Sequence, residues 1–130
     1  MAKKKLIGKF IIAFDTICDG NQCVTDEVGK PTLFDNREEA VREMFDGALS
    51  MLENRSEEEL ADYNEGITPE LVEEMKKIDT SGDATVMEAF FEKHPNANDN
   101  NEFIVPAEEF ILGRKAIFTS KGLVITGKKL

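Results

Sequence analysis

FDNREEAVREMFDGALSMLENR, residues 34–55, is the stretch where the spacing of apolar side chains changes from every second residue to the helical period. Ala40, Val41, Met44, Phe45, Ala48, Leu49 and Leu52 fall on one stripe. Arg37, Glu39, Arg42, Glu43, Asp46 and Glu53 lie mainly on the other side. That division predicts an amphipathic helix with the stripe buried. Asp35 or Asn36 suits its N-cap, and Glu38 or Glu39 closes a capping box.

Upstream the pattern is that of strands. Phe10, Ile12 and Phe14 alternate with Ile11 and Ala13, continuing to Ile17, as in a strand covered at least partly on both faces. CDGN, residues 18–21, supplies a turn because Asp, Gly and Asn tolerate the positive φ of tight hairpins. A second strand follows at about Gln22–Asp26. EVGKP then gives a second turn and TLF, residues 32–34, a short third strand.

Downstream three more helices are predicted. Ser56 caps the first of them, with Glu59 three residues later and Gly66 beyond its end. Thr68 caps the next, and Pro69 takes the first helical position, where its missing N–H costs nothing. Its inner stripe is Leu71, Val72, Met75 and Ile78. The last runs from about Ala84 to Lys93 with Val86, Met87, Phe90 and Phe91 inward, and Pro95 prevents its continuation. HPNANDNNE, residues 94–102, reads as an exposed connection. FIVP reads as a strand, AEEFILG as a turn of helix or an irregular edge, and residues 115–129 as a hairpin turning at Ser120–Gly122. The expected fold class is therefore α+β: a mixed, mainly antiparallel sheet built from N-terminal and C-terminal strands, with a central block of about four acidic helices packed on one face. A length of 130 residues suits a single domain, with strands in about 4–34, helices in about 36–94 and strands in about 102–128.

One stretch invites a ligand. KKIDTSGDATVMEAFF, residues 76–91, resembles the helix–loop–helix calcium motif of the EF-hand family over one loop. With the 12-residue loop started at Asp79, Asp79, Ser81 and Asp83 occupy the first, third and fifth ligand positions. Thr85 offers a carbonyl at the seventh, and Val86 fits the hydrophobic eighth. The sixth position, which needs Gly for a sharp turn, is Ala84. The twelfth, which needs a bidentate carboxylate, is Phe90, and Glu88 comes two residues early. A second such pattern, Asn98 to Glu109, lacks the turn Gly and contains Pro106. The competing reading makes Asp83 a helix cap, Gly82 a turn residue, and Phe90 and Phe91 core. Asp79, Ser81, Asp83 and Glu88 remain the candidate metal ligands, and no cofactor is expected.

Other chemical motifs break down at the position that matters. GLVITGKK, residues 122–129, fits a phosphate-binding P-loop except at its last position, where Lys129 replaces the Ser or Thr, and no helix is expected after it. His94 is the one histidine and precedes Pro95, and there is no G-x-S-x-G. Cys18 and Cys23 read as free thiols that could face each other across a hairpin, without the further Cys or His a metal site needs. The basic and apolar opening MAKKKLIGKFIIAF is interrupted by Lys9 and reads as a strand rather than a secretory leader, and no run approaches the length that spans a bilayer. A non-enzymatic, cytoplasmic protein is the expectation.

Charge carries the functional reading. Residues 35–109 hold 22 acids against six bases, a balance of −16, whereas residues 110–130 hold five bases and no acid. With apolar stripes turned inward, the helical carboxylates crowd outward and make a field that repels nucleic acid and attracts basic surfaces. The basic C-terminal hairpin, with Arg114, Lys115, Lys121, Lys128 and Lys129, reads as protection of sheet edges. The expected function is binding of a basic protein surface, including that of a nucleic-acid-binding protein, through Glu57, Glu58, Glu59, Glu70, Glu73 and Glu74. Small acidic proteins of this kind include adaptors, inhibitors and nucleic-acid-mimicking accessory proteins of bacterial or mobile-element systems. That resemblance is of size and composition and identifies no family. The alternative is a small calcium-responsive module built on residues 79–90.

Overall fold

The change of period after Phe34 falls close to a boundary between two compact units, which lies between Arg37 and Glu38. The computed structural model describes residues 6–17, 19–120 and 122–129, and its chain divides into two compact units. One holds the described residues up to Arg37 together with those from Asn101 onward, and the other is Glu38–Asn100. The fold class is α+β.

The strand unit is built around β1 (Phe10–Thr16), with β2 (Gly20–Cys23) on one side and β3 (Phe103–Pro106) on the other, both antiparallel. In β1 the odd positions point one way, so Ile11 and Ala13 meet Cys23 of β2 and share a core with Ala107 and Phe110. Phe103, Val105 and Leu112 pack against that cluster. Ile17, expected to extend this face, lies past the end of β1 and is exposed. TLF does not become a strand of its own. Phe34 makes one bridge to Phe10, through N–H to carbonyl bonds of 2.9 and 2.8 Å, while Thr25 bridges Pro31. Pro31 has no N–H to extend a ladder, and the third strand of the sheet comes instead from FIVP.

After a 3-10 turn at Ala107–Glu109, β4 (Ile111–Thr119) and β5 (Gly122–Lys129) form a separate two-stranded antiparallel sheet. The register shifts between Leu112 and Lys115, where Gly113 has a φ of +72°. A bulge there needs the left-handed conformation that glycine adopts without strain.

Apart from Arg37, the first residue of α1, the helical unit holds α1 (Arg37–Glu53), α2 (Glu57–Tyr63), α3 (Pro69–Ser81) and α4 (Ala84–Lys93), followed by a 3-10 turn at Pro95–Ala97. All seven apolar residues of the α1 stripe are buried. Phe45 is the centre of the unit, with its ring edge-on to Phe90 at 5.9 Å and tilted against Phe91 at 5.3 Å. Met75 of α3, Met87 of α4 and Leu60 of α2 are buried with it. On α4 the buried face is turned relative to expectation: Ala84 is buried and Val86 is 43% exposed. Ala84, Met87 and Phe90, spaced three residues apart, form the inward face, which leaves Val86 on the outer side of the first turn.

Candidate functional site

All six glutamates expected to meet a partner lie on α2 and α3 and are exposed, but they are not equivalent. At the start of α2, the Ser56 side chain accepts from the Glu59 N–H (3.2 Å), and the Glu59 carboxylate accepts from the Ser56 N–H (3.0 Å). This reciprocal cap uses Glu59 inside the protein and holds its carboxyl below the usual range, chiefly through the Ser56 backbone N–H. Glu73 is engaged by Lys76 at 2.8 Å, one turn along α3. The carboxylates of Glu57, Glu58, Glu70 and Glu74 make no ion pair or side-chain hydrogen bond among the described residues. Glu57 and Glu58 stand in the first turn of α2, and Glu70 in that of α3, where the helix dipole favours negative charge.

Charge follows the division into units. Residues 38–100 carry 18 acids and five bases, a balance of −13, and the rest of the chain carries eight acids and 11 bases, a balance of +3. Within the helical unit the open depression of about 130 Å³ between α1, α2 and α3 is an exception to this sign. Its floor is Leu52, Leu60 and Val72, and its rim carries two acids, Glu53 and Glu73, and two bases, Arg55 and Lys76.

The candidate metal ligands have other occupations. Asp79 and Ser81 belong to the last turns of α3, whose C-cap Gly82 is left-handed at φ +68°. Ser81 donates to the Ile78 carbonyl at 2.6 Å and accepts from the Asp83 N–H at 3.2 Å. Asp83 caps α4, accepting from the N–H groups of Thr85 (3.0 Å) and Val86 (3.3 Å). Arg42 of α1 donates to the Gly82 carbonyl at 2.8 Å, placing a cation at the negative end of α3. The segment that resembles an EF-hand loop is thus the end of one helix, a two-residue break and the start of another. Asp79 turns instead toward Asp46 of α1: burial first, then the hydrogen bond to Asp46 and the charge of Glu53, push its carboxyl above the usual range. Glu88 is half-buried on α4. Among the described residues no group of three or more His, Cys, Asp or Glu is placed to hold a metal ion.

Cys23 is buried, and burial pushes its thiol pKa up, away from the thiolate a nucleophile needs. Its expected neighbour Cys18 lies outside the described residues, as do Lys121 of the basic hairpin and the side chains of Arg114, Lys115 and Lys128. His94 caps the end of α4 with its ring 4.7 Å from that of Phe90. Among the described residues, no helix is long and apolar enough to cross a membrane.

A cluster that no local pattern announces lies at the far end of the helical unit. Asn64 is 1% exposed. Its carbonyl oxygen accepts from Arg55, and its amide nitrogen donates to the Asn96 carbonyl and to Asp99, both at 2.9 Å. Arg55 meets both carboxylate oxygens of Asp99, at 2.9 and 3.4 Å, and lies 5.4 Å from the centre of the exposed Tyr63 ring. Asn96 in turn donates to the Glu65 carbonyl at 2.7 Å. The Arg55 guanidinium, helped by Asn64, holds the Asp99 carboxyl below the usual range. Residues 94–99, expected to be an exposed connection, are therefore tied down, with Ala97 fully buried. The visible hint was a polar Asn closing a helix, but its partners are 32 and 35 residues away.

In comparisons with protein-family models, with curated proteins and with solved structures, the chain matches none.

Proposed function

We propose that this protein works by binding rather than catalysis, in the cytoplasm, and that the exposed acidic surface of α2 and α3 meets a basic surface on a partner protein, in the manner of an inhibitor or a nucleic-acid mimic. The observation that supports this most is the match between charge and architecture: the −13 balance coincides with one compact unit and is not spread over the chain. Such a concentration speeds encounter with a cationic surface and weakens as salt screens it, over about 10 Å at 0.1 M ionic strength. Glu57, Glu58, Glu70 and Glu74 are the contact residues in this reading, because their charge is not spent inside the molecule.

The test replaces those four with Gln and compares capture of partners from a nuclease-treated lysate at low and moderate salt, with Glu108→Gln/Glu109→Gln in the strand unit as control. The expected result is a basic protein held by the wild type and the control, released by salt, and lost by the fourfold variant while its circular dichroism is unchanged. A partner retained by the fourfold variant would sink the proposal.

A further inference from the structure

We infer that Arg55, Asn64 and Asp99 form a latch that positions α2, and that its release frees α2 and residues 95–99 together while α1, α3 and α4 stay folded. The helix has seven residues and buries one of them, Leu60. Two turns of helix do not persist in water unaided, so its position has to come from its attachments. At its start the cap between Ser56 and Glu59 is local and ties α2 to nothing else. The long-range ties sit on either side. Arg55 precedes the cap and binds Asp99; Asn64 follows the last turn and binds Asn96 and Asp99; Glu65 accepts from Asn96. Both ends of α2 are thus fastened to one short segment, like a handle. Arg55, held by these partners, also backs the ring of Tyr63 within α2.

The functional consequence rests on the proposed acidic surface: Glu57, Glu58 and Asp62 ride on α2, so the latch sets where those charges stand. Asn64 is a positioning residue in this scheme, contributing no charge itself.

Amide hydrogen exchange on the full chain tests the latch without needing a partner. In Asn64→Ala, peptides covering 56–67 and 94–100 are expected to exchange at least about tenfold faster, while those within 40–52 and 84–93 keep wild-type rates. A uniform acceleration across the helical unit, or none, overturns the inference. Should Asn64→Ala not fold, Arg55→Lys carries the test: it keeps the charge but gives up the fork that spans Asn64 and Asp99, and the same local pattern is expected. A uniform acceleration in that variant, or none, overturns the inference equally. Failure here leaves the acidic-surface proposal standing, and failure of the fourfold Gln variant leaves the latch standing.

Discussion

Asp79 and Asp99 show how neighbours decide what a carboxylate does. Asp99 receives Arg55 and Asn64, so its ionised form is favoured and its pKa lies below the usual range. The stability it contributes is present at neutral pH and is lost as pH falls through that lowered value. Asp99→Asn should therefore lower the melting temperature at pH 7 and flatten the acid limb of a stability–pH profile. Asp79 is the opposite case. Burial and the carboxyl of Asp46 raise its pKa, so the cost of ionising it is present above the folded value and fades as pH falls toward that of an ordinary carboxyl. Asp79→Asn should stabilise the protein at pH 7, by less than about 1 kcal/mol given solvent screening, with the gain shrinking toward pH 4. Thermal melts of wild type and variant across that range check the sign, and a loss at pH 7 would contradict it. Neither role was legible in advance. Local sequence offers Asp79 as a candidate metal ligand and places Asp99 in an exposed connection, because Asp46 and Arg55 lie 33 and 44 residues away in the chain.

The helices, by contrast, were written locally. Thr68 and Pro69 open α3, and Asp83 opens α4, at the positions their chemistry favours. Caps act within three residues, so short-range sequence is enough to place them. Asp83→Ala should cost about 1 kcal/mol in urea unfolding, with the same cost in calcium and in chelator. A calcium-dependent difference would instead revive the metal-responsive reading of residues 79–90. Gly82→Ala should destabilise by a similar amount, about 1 kcal/mol, because φ there is +68°. Strand elements were less legible. TLF has the composition of a strand, but pairing depends on which backbone lies alongside, and β1 takes β3 from more than 80 residues downstream.

At the level of the whole molecule, charge has a cost as well as a use. Eighteen acids confined to residues 38–100 repel one another, and salt shortens the reach of that repulsion. The melting temperature should rise between about 10 mM and 300 mM sodium chloride, where the Debye length falls from about 30 Å to below 8 Å. A wild type insensitive to salt would show that the carboxylates stand too far apart in solution to interact. The same salt range separates the two uses of charge, since partner binding weakens where folding strengthens.

The amino-acid sequence by itself determined the α+β class, the four helices with three of their caps, the α1 stripe and the acidic excess of the middle region. Periodicity, capping and composition act over a few residues or over the whole chain, and both ranges can be read in one dimension. Only the tertiary structure decided which strand pairs with β1, that Val86 faces outward, and that Arg55, Asn64 and Asp99 meet. Each depends on groups brought together from separate elements, where burial and the distance between partners, rather than residue type, set the energy.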